Sequence, residues 1–279
     1  MKSAPFSIAM SVYNKDNAVY FERALKSITE EQTIMPSEIV LVCDGPLNSE
    51  LDAVIDCYNA RYPIFNIIRL PKNKGLGNAL KVAIENTSNE LIARMDSDDV
   101  SVNDRFEQQL YYFNKHPEID VVGGDIAEFI GEEKNIVGKR SVPKIDHEIK
   151  EYMKKRAAFN HVSVMYKKGS VQAAGGYQDW FCNEDYFLWI RMQLNNAAFA
   201  NTGTVLVYVR VGEEMYQRRG GKRYFLSEYG LQRLMLQRRM IGVTTFIENV
   251  SKRFIVQMML PNKVRGWVFK RFARTKVDN

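Results

Sequence analysis

Four short apolar runs, at residues 6–13, 38–43, 65–70 and 90–95, are separated by stretches whose apolar side chains recur at helical spacing, and this alternation restricts the chain to an α/β fold. Runs that are apolar at nearly every position suit strands covered on both faces. Parallel neighbours joined by helices supply that cover, so the pattern predicts a mostly parallel, Rossmann-like central sheet flanked by helices. The intervening helices are expected over 19–31, 49–62 and up to about residue 86, with Phe21, Leu25 and Ile28 forming the buried stripe of the first. The pattern loosens after Asp120, where Val121-Val122 and Ile136-Val137 suggest further strands and a helix is expected near 146–156. From Lys222 onward the chain reads as mostly helical. With no repeat or low-complexity linker, the expected organisation is a principal domain over 1–210 and a basic, mainly helical extension over 211–279.

At 279 residues, 46% hydrophobic and 26% charged, the chain can bury a core without cross-links. Cys43, Cys57 and Cys182 show no paired metal spacing, and an odd number of cysteines without a secretory leader points to free thiols in a reducing, cytoplasmic setting. No uninterrupted apolar run approaches the ~20 residues needed to span a bilayer. Charge is unevenly divided. Residues 210–279 carry 16 Lys and Arg against 5 Asp and Glu, net +11, which leaves residues 1–209 at net −5. No zinc-finger spacing, RNA-binding aromatic signature or helix-turn-helix accompanies the basic end, so nucleic acid is not the expected partner. An anionic ligand or an anionic membrane surface fits better, because Lys252, Arg253, Lys263, Arg265, Lys270 and Arg271 interleave with Phe254, Ile255, Met258, Trp267 and Phe269. A helix packed on the domain with a solvated basic face is the alternative.

Chemistry concentrates at Met95-Asp96-Ser97-Asp98-Asp99, where three carboxylates follow the fourth apolar run. Open α/β sheets bind ligands beyond the carboxyl ends of their strands, so an Asp-x-Asp there can hold a divalent cation against a phosphorylated ligand. Oxygen-only donors favour Mg²⁺ or Mn²⁺. The same residues can also simply cap the helix expected after Val102. Gly75-Leu76-Gly77 is no dinucleotide fingerprint, since it lacks the third glycine and follows the third strand; the glycines allow a tight turn while Lys74 and a helix amino terminus face an anion. A second acidic pair, Glu184-Asp185, opens a strongly apolar helix. The pair can neutralise the helix dipole, or it can present a general base rigidly into a cleft.

Together, Ser11-Val12-Tyr13-Asn14, Asp44-Gly45, Asn73-Lys74-Gly75, Asp96-Ser97-Asp98 and Glu184-Asp185-x-x-Leu188-Trp189-Ile190-Arg191 resemble glycosyltransferase family 2 in order and spacing over roughly residues 5–210. The resemblance implies the GT-A fold and an inverting transfer from a UDP-sugar. It implies that Asp44 accepts the uracil N–H and Tyr13 stacks on the base. By the same resemblance Asp96 would contact the ribose or a metal-bound water and Asp98 would ligate the metal, so that Asp98 and Asp96 form the metal site. Asp185 would, on this resemblance, be the catalytic base. Ser11, Asn14, Lys74, Asn78, Ser97 and Glu184 complete the nucleotide-sugar contacts, with Mn²⁺ or Mg²⁺ as cofactor. Val209-Arg210-Val211-Gly212 and Met215 to Gly221 further resemble bacterial enzymes that build amylovoran, capsular and O-antigen polysaccharides. That implies a saccharide acceptor on an undecaprenyl-diphosphate carrier and a peripheral location on the inner face of the cytoplasmic membrane.

Two features depart from the family pattern. Many relatives place a histidine two residues after the arginine of a Tyr-Arg-x-His segment, as a third metal ligand; here Val211 and Gly212 follow Arg210. Gln217-Arg218-Arg219 is loosely similar to the basic loop that closes on diphosphate in processive relatives, but without the tryptophan, which implies a non-processive enzyme. His161 matches a family position near the active site, and it can equally be a neutral, hydrogen-bonded histidine at a strand start. A nucleotidyltransferase of related fold would open with Gly-x-Gly-x-Arg rather than Ser11-Val12-Tyr13-Asn14-Lys15, and a sugar-nucleotide-binding protein without turnover is the remaining alternative.

Overall fold

In a computed structural model, which describes residues 4–212 and 220–261, each of the four apolar runs is a strand: β1 (Phe6–Val12), β2 (Glu38–Cys43), β3 (Phe65–Arg69) and β4 (Leu91–Met95). They pair in parallel in the order β3-β2-β1-β4, with Ile8 opposite both Ile39 and Ala93. Helices α1 (Ala18–Ile28), α2 (Ser49–Arg61) and α3 (Leu76–Glu85) make the crossovers. Because successive side chains point to opposite faces of a strand, Ile8, Met10, Ile39 and Leu41 join one buried cluster, and Ala9, Val40 and Val42 the other.

Beyond β4 the sheet becomes mixed. The chain continues through β5 (Val100–Ser101), α4 (Arg105–Lys115), β6 (Val121–Phe129), β7 (Ile136–Arg140), α5 (Asp146–Met153), β8 (Met165–Lys167), α6 (Lys168–Ala173), α7 (Glu184–Leu194) and β9 (Phe199–Arg210). The full order is β3-β2-β1-β4-β8-β6-β9-β5, with β7 paired to β6. Strand β8 lies antiparallel to both β4 and β6, while β6 and β9 run parallel through two register shifts. The direction of the sheet reverses at β4, the strand that delivers Asp96. A long strand at 199–210 is absent from the apolar pattern because Thr202-Gly203-Thr204 interrupts it with partly and fully exposed positions.

The expected C-terminal helices are α8 (Lys222–Gln237) and α9 (Val243–Phe254), the latter continued by a π turn at Ile255–Met259. They are seated on the α/β unit. Leu231 and Met235 of α8 enter the cluster that holds Trp189 of α7, and Trp180 Nε1 donates to the Ser227 carbonyl at 3.1 Å. Arg253 does not belong to a solvated basic face, as its place in the basic tail implied: its guanidinium turns inward to pair with buried Glu228 and donates to the Lys155 carbonyl at 2.6 Å. Among the described residues no helix is long and apolar enough to cross a membrane.

Candidate active site

An open cleft of about 1080 Å³ lies where β1, β2 and β4 end and the amino terminus of α7 faces them, large enough for a nucleotide-sugar together with an acceptor. Its walls include Ser11, Tyr13, Asp44, Asp96, Ser97, Asp98, Asp99, His161, Glu184, Asp185 and Arg210. Asn14, Lys74 and Asn78 are not among the lining residues. For Lys74 and Asn78 the reason is the β3–α3 loop. Buried Asp44 accepts the backbone N–H of Lys74 at 2.7 Å and of Gly75 at 2.9 Å, and Gly75 turns at φ 86°, so backbone rather than the exposed Lys74 side chain faces inward. Gly45 makes this possible: at φ 95° it sits so close to Asn73 that a Cβ would lie 2.7 Å from the Asn73 nitrogen. Asn78 is occupied with the Lys74 carbonyl at 2.8 Å. The second glycine of the pair, Gly77, packs the start of α3 onto Glu184, where a Cβ would meet the Glu184 Cβ at 3.3 Å.

Four acids converge after β4 and β1. Carboxylate oxygens of Asp96, Asp98 and Asp99 lie within 4.8 Å of one another, and Asp16 reaches the same turn by accepting from Ser97 Oγ at 2.7 Å. Asp98 is open to the cleft, yet desolvation, followed by the charges of Asp96 and Asp16, pushes its carboxyl up to about 6. Burial, followed by the charges of Asp98 and Asp96, raises Asp99 well above the usual carboxylate range. Three crowded oxygen donors that resist joint ionisation fit a hard divalent cation such as Mg²⁺ or Mn²⁺. Asp99 stands as the third acid of the cluster in a chain that has Val211 and Gly212 where a ligand histidine would fall. It is anchored from β9 by the backbone N–H of Arg210 at 2.9 Å. The Arg210 side chain stacks on Tyr20 and Phe129 and donates to the Asp98 carbonyl at 3.2 Å.

Sequence reasoning missed Arg94. It sits in β4 with its side chain 2% exposed, and both terminal nitrogens grip Asp96 in a bidentate pair. A charge inside a strand covered on both faces must have a partner, which was the available signal. Arg94 is a positioning residue: its fork fixes the orientation of the first carboxylate of the acidic turn. Arg94→Lys keeps the charge and loses the fork. The expected result is a ~10–100-fold loss of Mn²⁺ affinity, the scale on which partners behind metal ligands act, with little change in the melting temperature. Calorimetric Mn²⁺ titration checks this, and parental affinity would remove Arg94 from the role.

Glu184 and Asp185, which also line the cleft, occupy the first turn of α7. Desolvation, then the neighbouring Asp185 charge, pushes the Glu184 carboxyl up to about 7. His161, in a 3₁₀ turn before β8, combines both readings of it: it lines the cleft, and its Nε2 pairs with the Tyr177 hydroxyl at 2.7 Å. Burial, aided by Arg94, depresses its pKa well below the usual value, so the ring is neutral at pH 7. The β6–β7 hairpin adds Glu128, Ile130, Gly131 and Arg140 to the wall. Arg218 and Arg219 lie outside the described residues, as do Lys263, Arg265, Trp267, Phe269, Lys270 and Arg271.

A GT-A sheet with an acid cluster at one strand end and a second carboxylate pair in the same cleft fits a glycosyltransferase, and comparison with known proteins establishes the class. The chain belongs to glycosyltransferase family 2: residues 7–174 match the family described as "Glycosyl transferase family 2". It is 36% identical to an uncharacterized glycosyltransferase of Haemophilus influenzae, over 96% of this chain and 99% of that one. It is 34% identical to the Escherichia coli UDP-Gal:alpha-D-GlcNAc-diphosphoundecaprenol beta-1,3-galactosyltransferase, over 96% of each. It is 35% identical to the amylovoran biosynthesis glycosyltransferase AmsE of Erwinia amylovora, over 95% of this chain and 98% of that one. Two solved structures share the fold. S. aureus TarS 1-349 in complex with UDP-GlcNAc aligns with a TM-score of 0.64 at 15% identity, covering 90% of this chain and 72% of TarS 1-349. The mannosyltransferase PcManGT of Pyrobaculum calidifontis, in complex with GDP-Man and Mn²⁺, aligns with a TM-score of 0.63 at 14% identity, covering 98% of this chain and 77% of PcManGT.

Proposed function

We propose that this glycosyltransferase is an inverting, metal-dependent, non-processive enzyme that moves a sugar from a UDP-sugar to a saccharide on an undecaprenyl-diphosphate carrier, in the synthesis of a bacterial surface polysaccharide. The observation that carries the reading is that the Asp96-Asp98-Asp99 cluster and Asp185, distant in sequence, line one cleft. Support for the donor and acceptor comes from the named substrates of the E. coli relative. Residues 1–210 then form the catalytic domain. Residues 211–279, which carry the basic excess, hold the enzyme peripherally on the inner, anionic face of the cytoplasmic membrane.

In this mechanism Asp185 takes the proton from the acceptor hydroxyl, whose oxygen attacks the anomeric carbon as the bond from that carbon to the diphosphate breaks on the opposite face. UDP departs and no covalent intermediate forms. Asp98, with Asp96 and Asp99, would hold a divalent cation, which would supply positive charge for the departing diphosphate. Tyr13 and Asp44 hold the uracil end, and a neutral His161 donates or accepts a hydrogen bond without adding charge. Incubation with a panel of UDP-sugars and an undecaprenyl-diphosphate-linked saccharide tests the reading. One donor is expected to release UDP in an acceptor-dependent manner. Release of pyrophosphate would indicate nucleotidyl transfer instead, and binding without release would indicate a silent module.

A further inference from the structure

Helix α9 and the π turn after it are inverted in polarity. The fully buried residues of this segment are polar: Asn249 donates to the Lys154 carbonyl at 2.9 Å and to Gln232 Oε1 at 2.8 Å, and Gln257 is buried, while Arg253 turns inward to pair with Glu228. Phe246 packs inward beside Tyr229, but most of the segment's apolar residues face water. Val243, Ile247, Phe254, Ile255, Met258 and Met259 are each between 40% and 65% exposed. Val243, Ile247 and Phe254 fall at i, i+4 and i+11, on one helical face. A helix on a soluble domain normally turns its apolar stripe to the core, and a contiguous apolar face left outside marks an interaction surface.

We propose that this face is the docking surface for an anionic lipid bilayer, so that an acceptor carried in the bilayer is presented to the cleft. Charge selects the occupant. The two acids of α8 and α9 are taken, Glu228 by Arg253 and Glu248 by Lys252, which leaves Lys222, Arg223, Arg233, Arg238 and Arg239 exposed with no acidic counterpart on those helices. Cations beside an apolar stripe complement anionic headgroups and repel a second copy of the same face. The surface is also joined to the site. Gly221 donates its N–H to the Gln257 carbonyl at 3.1 Å, and Tyr224, three residues further on, lines the cleft.

The inference rests on the lipid-borne acceptor proposed above, but vesicle binding is read with neither donor nor acceptor, so the two can fail separately. The full chain is sedimented with phosphatidylcholine vesicles with and without phosphatidylglycerol. Binding is expected only with the anionic lipid, weakening as salt is raised. Ile247→Glu with Met259→Glu, both at exposed positions, is expected to weaken binding at least ~10-fold while melting temperature and UDP release with a soluble short-chain acceptor stay unchanged. Arg233→Glu with Arg238→Glu should weaken it in the same direction. Parental binding by the Glu variants, or equal binding to both vesicles, would overturn the proposal. So would a dimer in sedimentation velocity that the Ile247→Glu and Met259→Glu changes abolish, since the face would then belong to a second copy.

Discussion

Asp185→Asn is expected to lower turnover by ~10²- to 10⁴-fold, the usual cost of deleting a general base, while leaving the fold and UDP affinity intact. The substitution is nearly isosteric, and Asn is itself compatible with the first turn of a helix, so α7 has no reason to move. What changes is that an amide cannot take the proton of the acceptor hydroxyl. The expected pattern is a fall in kcat, an unchanged KM for the donor and an unchanged melting temperature. Near-parental turnover would remove Asp185 from the role and direct attention to Glu184, whose carboxyl is held at about 7 by burial and by Asp185 itself.

Asp98→Ala is expected to reduce metal-supported turnover by on the order of 10³-fold, since a bound cation contributes several kcal/mol to charge stabilisation at a leaving group, and excess EDTA should silence the parent. The same site predicts a stability signature. The Asp98 carboxyl titrates near 6 in the fold against an ordinary value near 4, so between those values the folded state holds a proton the unfolded state has lost. Stability therefore falls as pH rises through that window, and above it the cluster carries repulsion that a cation relieves. Mn²⁺ should raise the melting temperature more at pH 7.5 than at pH 5. Without metal at pH 7.5, Asp98→Ala should melt above the parent by ~2–4 °C while losing the Mn²⁺ increment. A destabilised variant that still responds to Mn²⁺ would place the cation elsewhere.

The first half of the sheet was legible because β1 to β4 are buried on both faces, so nearly every position had to be apolar and each run stood out from the helices around it. Past β4 the strands lose that signature. With two and three residues, β5 and β8 are too short to show a period, and β9 is broken at Thr202-Gly203-Thr204. The acids of the site were visible because carboxylates at strand ends are unusual on chemical grounds. Residues that act on those acids were not, because their partners are set by tertiary contacts: Arg94 grips Asp96 from within the strand, and Arg210 reaches Asp98 and Asp99 from β9. Lys74 stands out in the sequence by its charge, whereas the loop is held by backbone donation to Asp44, which no side-chain pattern reports. The polarity of α9 was hidden for a related reason. An amphipathic helix looks the same from sequence whichever face turns inward, and only the contacts of Asn249 and Arg253 decide it.

The transfer chemistry is tested most directly by following the anomeric proton in a reaction of the accepted α-linked UDP-sugar with its saccharide acceptor and Mn²⁺, by NMR. Direct displacement from the face opposite UDP predicts a β-linked product from the first turnovers, appearing one for one with UDP. An α-linked product, or pyrophosphate in place of UDP, would contradict the account.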